Sequence, residues 1–283
     1  EQARQFEALQ IRCVENDFFL TPRKLFADWA SSQKTFVMEN FYRSQRVRLG
    51  VLIEGGKPIG DRWNFDEDNR LPPPKNHSWT PTPEQQLDEI DLEVARELNH
   101  QPSKVWATTR QNALKALEHF IEHNLVEFGP YEDAVAKDEW AMHHSLLSPY
   151  LNNGLLLADE VVAAAIRAFE QGAPIGSVEA FVRQIIGWRE YINGMYWFLG
   201  EDYANENQLK ANRKLLPVFT DSKRTKMNCV SSVVADVEAR AWTHHIPRLM
   251  ILSNLALLTG TNPQQFLDWM RENFVDASQW VMV

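Results

Sequence analysis

Cysteine is scarce in this 283-residue chain, with Cys13 and Cys229 the two present. They allow at most one disulfide and cannot build a zinc ribbon. No apolar run reaches 18 residues, so no membrane-spanning helix is expected, and nothing at the start reads as a signal peptide. Several catalytic signatures are missing: Gly-x-Ser-x-Gly, His-Glu-x-x-His, Gly-x-Gly-x-x-Gly and a Walker loop. Strand signals are nearly absent beyond residue 84. The chain starts at Glu1 rather than Met and ends in the apolar run Trp280–Val283, so both ends are expected to be cut.

What is present is globular in character: 44% hydrophobic, 24% charged and 11% aromatic, with ten Trp. At ~150 residues per domain, the length suggests about two domains and a sizeable core. The net charge of −9 is uneven. Residues 81–139 hold 13 Asp and Glu against 5 Lys and Arg. A basic stretch follows at 210–226 (Lys210, Arg213, Lys214, Lys223, Arg224, Lys226), and Arg43, Arg46 and Arg48 form a second cluster. This asymmetry fits either an oriented binding surface or ordinary solvated faces.

Gly50–Gly56 reads as a short strand entering a Gly-Gly turn. Residues 71–83 carry five of the 14 prolines and must be extended, which makes them the domain linker. Thr82-Pro83-Glu84-Gln85 then predicts a capped helix start. Helix follows helix from there. Leu114, Leu117, Phe120, Ile121 and Leu125 share a face; Asp159 to Gly172 encloses a helix; Ser177 caps a long one through Phe181, Ile185, Trp188 and Ile192. Arg248–Leu258 is expected to be a buried central helix ending at Gly260, and Asn262-Pro263 to start the last helix.

Three segments combine residue types suited to chemistry. In Ser145-Leu-Leu-Ser148-Pro149-Tyr150-Leu-Asn-Asn-Gly154, two hydroxyls precede a Pro-initiated helix, either to meet an anion or to cap the helix. Gly187-Trp188-Arg189-Glu190-Tyr191 offers an anion-pairing Arg and a carboxylate, or one ion pair on an amphipathic helix. Trp242-Thr-His244-His245-Ile-Pro-Arg248 pairs two imidazoles able to move protons near neutral pH, or two structural histidines. His119 and His123, at i and i+4, read as an exposed polar face, and His143-His144 does not by itself make a metal site.

These segments, in this order, resemble the photolyase/cryptochrome flavoproteins: the Ser-x-Leu-Ser-Pro-Tyr-Leu-x-x-Gly stretch, Trp188-Arg189-Glu190, His244-His245-x-x-Arg248, and Phe274-Val275-Asp276. Phe41-Tyr42-Arg43, Trp63-Asn64-Phe65-Asp66, Phe128–Ala134 and Lys226-Met227-Asn228-Cys229 are similar to the bacterial iron–sulfur group, the deoxyribodipyrimidine photolyase-related proteins of (6-4) type. The resemblance covers residues 20–283.

The resemblance implies a mainly α fold, a helical FAD-binding domain preceded by the remnant of an α/β antenna domain. Residues 1–70 would be that remnant, 71–83 a Pro-rich linker and 84–283 the FAD-binding domain. It implies light-driven electron transfer from reduced FAD to a flipped (6-4) pyrimidine photoproduct, in a monomer acting on UV-damaged DNA in the bacterial cytoplasm, away from membranes. Its alternatives are a cryptochrome-like blue-light receptor and a cofactor-free helical binding module. His245, His244 and Glu190 would be catalytic. Ser145, Ser148, Tyr131, Trp188 and Asp276 would bind the cofactor. Trp269 would relay electrons or simply fill the core, and Arg43, Arg213, Lys214 and Arg224 would contact DNA. The family's 4Fe-4S iron–sulfur cluster needs four cysteines, of which Cys229 matches one, and a ribityllumazine antenna accompanies the family's missing domain. Leu249 stands where animal (6-4) enzymes place a further His.

Overall fold

The computed structural model describes residues 17–282, so Cys13 lies outside the described residues. Helix α1 (Arg23–Ser31) and α2 (Met38–Leu49) come first. Gly50 ends α2 at φ +67°, a left-handed cap that glycine adopts without a Cβ clash. The Gly-Gly turn follows as expected, at φ +55° and +78°, and joins β1 (Ile53–Glu54) to β2 (Lys57–Pro58) in an antiparallel hairpin.

Residues 71–83 are free of helix and strand, but the helix expected at Thr82 does not form. Instead α3 (Glu89–Glu97) starts at Asp88, whose side chain accepts from Asp91 N while the Asp91 side chain accepts from Asp88 N. That reciprocal pair satisfies two otherwise orphaned donors. Next come α4 (Arg110–His123), α5 (Leu125–Tyr131), α6 (Ser148–Asn153) and α7 (Ala158–Glu170). Leu114 is exposed, and Leu125 starts a separate helix rather than extending the apolar stripe.

Helix α8 (Ile175–Val182) widens into a π-helical stretch, Arg183–Arg189, and continues as α9 (Glu190–Leu199). Ser177 does not cap it. The helix begins two residues earlier, and Ser177 Oγ donates to Val126 O at 2.7 Å across the α5–α8 contact. Gly129 permits that approach: a Cβ there would lie 2.7 Å from Ser177 Cα. Helix α10 (Asn228–Arg240) ends at Ala241. A second π-helical stretch, Pro247–Ser253, leads into α11 (Asn254–Leu258), followed by α12 (Pro263–Asn273), capped by Asn262, and α13 (Gln279–Met282). The 248–258 segment is helical but not buried, since Leu249, Met250, Leu257 and Leu258 are exposed.

The main core joins α2 and α4–α8 around Phe120, Phe128, Phe181 and Ile186. A second core gathers Phe219, Val234, Leu252, Trp269 and Phe274, and a third sets Phe26 and Phe41 against Tyr191. Polar links tie the first two together: Trp106 Nε1 donates to Arg240 O at 2.8 Å, and Asn152 Nδ2 to Asp276 O at 2.7 Å. No helix among the described residues is long and apolar enough to cross a membrane. The fold is mainly α, with the 53–58 hairpin the one sheet among the described residues.

Candidate functional site

A cleft of about 330 Å³ opens beside the main core. Its walls come from separate stretches: the 144–146 turn, α6, the first π-helical stretch, the 242–248 segment, and Asp276 with Trp280. Both π-helical stretches border it, and such widened turns are frequent at functional sites. Met142 and Leu146 adopt left-handed φ values of +48° and +56° on either side of His143–Ser145. For residues with a Cβ this costs about 1–2 kcal/mol each, strain that sets how His144 and Ser145 meet the cleft.

Ser145, Ser148, Trp188, His244, His245 and Asp276, expected in the site from sequence, all line this cleft. Ser148 is not a helix cap: its Oγ donates to Asp276 Oδ2 at 2.6 Å. Arg248 grips the same carboxylate with two guanidinium nitrogens, at 3.1 and 2.9 Å, while its Nε donates to Thr243 O at 2.6 Å. The Arg248 guanidinium also lies 4.3 Å from the Phe274 ring centre. Asp276 is thus a buried anion held by a fork and a hydroxyl.

His144 and His244 stack with ring centres 4.4 Å apart and an interplanar angle of 21°. Burial, with His245 and Arg248 adding to it, pushes His244 down to about 3, and burial holds His144 well below its usual value too. Both rings are therefore neutral at physiological pH. His144 Nε2, His244 Nδ1 and Trp242 Nε1 are buried without hydrogen-bond partners. Such atoms on a cavity wall are unfilled positions for a polar ligand. His245 is more exposed, and its Nε2 faces Asp133 Oδ1 at 3.0 Å. That hydrogen bond, more than any other contact, holds the Asp133 carboxyl below its usual range.

The remaining sequence candidates lie elsewhere. Glu190 does not line the cleft; it is buried behind it, accepting from Thr21 N at 2.7 Å and pairing with Arg189 at 3.3 Å. Burial raises its carboxyl, with Arg189 opposing. Tyr131 packs 4.8 Å from His77, outside the cleft. Trp269 sits in the second core, stacked on Phe266 and edge-on to Phe274. Arg43 pairs with Glu39, while Arg213 and Lys214 adjoin the backbone bridge to Thr261. Arg224 lies in a short 222–224 turn, and none of these four cations lines the cleft. Cys229 is exposed at the start of α10.

Sequence reasoning gave no role to Arg248, although it stands in the quoted His-His-x-x-Arg stretch. It likewise missed Asp133, inside the quoted Phe128–Ala134 stretch, and His144, whose only local signal was an adjacent histidine.

Residues 1–112 match the family model for the deoxyribodipyrimidine photo-lyase-related proteins. The chain is 41% identical over 282 residues to a (6-4) photolyase of Agrobacterium fabrum, covering 96% of this chain and 55% of that protein. It thus spans about half the length of this relative. An uncharacterized protein of Acanthamoeba polyphaga mimivirus is 31% identical over 86 residues, 28% of this chain and 66% of that one. The crystal structure of a bacterial class III photolyase from Agrobacterium tumefaciens matches with a TM-score of 0.54 at 22% identity, over 62% of this chain and 36% of that one. The shared element is the helical photolyase fold.

Proposed function

This chain is a relative of the photolyase-related proteins over nearly its whole length, and from that premise we propose that it forms the flavin-binding part of a light-driven DNA repair lyase acting on (6-4) pyrimidine lesions. One observation carries the reading: a single cleft gathers residues from all four sequence segments that resemble the family.

The residues present fit a flavin nucleotide. Apolar walls (Phe128, Phe181, Ile185, Trp188) supply a bed for flat rings. The unpartnered His144 Nε2, His244 Nδ1 and Trp242 Nε1 supply polar contacts, and Ser145 lies near the diphosphate's expected place. Ser148, Arg248 and Asp276 form the polar floor. When bound, FAD supplies the light-driven electron. The protein's own task is to orient the lesion and move a proton. His245 is placed for that: it is the more exposed of the pair and is oriented by Asp133. His244, neutral and buried, fixes the floor beneath it. Glu190 acts on positioning, tying Arg189 to the 18–21 segment. The partner is UV-damaged DNA in the cytoplasm, with the target base out of the stack.

The iron–sulfur cluster does not fit the residues described. Cys229 is the one cysteine among them and a cluster needs four thiolates, so no step is drawn through it.

The test is blue-light repair of (6-4)-containing DNA by flavin-loaded protein. His245→Ala is expected to lower the repair yield by about 100-fold or more while flavin absorbance persists. Repair at the parent rate would remove His245 as proton donor. Flavin absorbance without repair in the parent would favour a light receptor instead.

A further inference from the structure

Away from the cleft, the fold brings together two imidazoles and a carboxylate that the function above leaves unused. His77, on the extended 71–83 segment, His143, before the Leu146 turn, and Glu127, on α5, each bring a ligand atom within 4.8 Å of the others. His77 Nε2 and His143 Nε2 are 2.8 Å apart. His143 Nδ1 faces Asn124 Oδ1 at 2.9 Å. A carboxamide oxygen only accepts, so Nδ1 carries the proton and Nε2 presents its lone pair. Metal-binding histidines are commonly oriented in this way, by donating the far ring nitrogen to an oxygen. Burial, with His77 adding to it, pushes His143 down to about 4, which keeps that lone pair free at neutral pH.

The Glu127 carboxylate is half-buried and has neither hydrogen-bond donor nor cation partner among the described residues. Aromatic rings wall the group: Trp79 lies 4.4 Å from His77 and 5.0 Å from His143, and Tyr131 lies 4.8 Å from His77.

We propose that His77, His143 and Glu127 form a binding site for a transition-metal dication of the zinc class, with a fourth position open to water. Two imidazoles and one carboxylate suit zinc by ligand type and number. Zn–N bonds of about 2.0–2.1 Å in a tetrahedron put the two nitrogens about 3.3 Å apart. The pair must therefore part by about 0.5 Å from its present 2.8 Å, a movement that falls on His77, in a segment without helix or strand. His77 then keeps its proton on Nδ1. The ion fastens the 71–83 segment to α5 and to the residue next to His144, which stacks on His244 in the cleft.

The site is separate from the His144, His244 and His245 group, which also brings ligand atoms within 4.8 Å of one another but belongs to the cleft. The test titrates Zn2+ into the protein against a chromophoric chelator and records the visible spectrum with Co2+. One equivalent is expected to bind tightly, with the intense absorption of four-coordinate Co2+. His77→Ala and Glu127→Gln should each weaken Zn2+ binding at least tenfold without loss of helical circular dichroism. His245→Ala should leave it unchanged. Absence of binding, or binding indifferent to His77→Ala, would mean that His77 and His143 share only a hydrogen bond. Binding lost in His245→Ala would place the ion in the cleft. Either result overturns the proposal.

Discussion

Most polar contacts on the cleft floor converge on Asp276. Its carboxylate takes Ser148 and both arms of Arg248, and its carbonyl takes Asn152. A buried charge loses heavily when its partner goes. Arg248→Met is expected to cost about 3–5 kcal/mol in urea denaturation, because it leaves the carboxylate with a single hydroxyl. Arg248→Lys should recover only part, since an ammonium is a point charge and cannot make the fork. An Arg248→Met variant as stable as the parent would mean that the pair contributes nothing. Asp276 and Ser148 were legible as single motif residues, but their partnership was not. Nothing local in the sequence announces a contact across 128 residues, nor the one between His245 and Asp133 across 112. Glu190 shows the converse: the motif named it, but only the packing shows that it points at Thr21 rather than into the cleft.

Helix starts with local chemistry were the most readable elements. Asn262-Pro263 opens α12 as expected, its side chain accepting from Gln264 N and Gln265 N. Thr82-Pro83 has the same kind of signal and fails, because Asp88 and Asp91 supply a reciprocal cap a few residues later. Burial of whole elements was harder to read. The 248–258 segment is apolar enough for a central helix, yet Leu249, Met250, Leu257 and Leu258 face out. Periodicity cannot show which apolar face finds a neighbour. Close contact between elements leaves a clearer trace in glycine. Gly194 of α9 lies against Phe26 of α1 so tightly that an added Cβ would overlap the ring. Gly194→Ala is expected to destabilise the chain by about 1–3 kcal/mol despite alanine's better helix propensity, read as a lower melting temperature. A neutral or stabilising result would show that α1 can retreat at no cost.

At the scale of the molecule, buried titratable groups set the response to acid. His143 at about 4 and His244 at about 3 are neutral in the fold but protonate near 6.5 when unfolded. Their contribution is complete above about 6.5 and is lost as pH falls towards those values. Glu132, raised to about 7 by burial although Arg183 opposes it, works the other way. It stays protonated in the fold and ionises near 4.5 when unfolded, so its contribution is lost as pH rises towards 7. Two histidines outweigh one carboxyl, and His144 adds to their side. Stability should therefore rise from pH 4.5 to 6.5, by about 1.4 kcal/mol per pH unit for each net proton. A urea midpoint that is flat or falling over that range would contradict the assignment. The widened turns at 183–189 and 247–253 have a consequence of another kind. Each residue advances a helix by roughly 100°, so deleting one residue from either stretch would swing every side chain beyond it by about that angle. Trp188 and Arg189 would leave the cleft together. The cleft is thus tied to an exact count of residues in these two helices, and gaps there should be harder to accommodate than exchanges of one side chain for another.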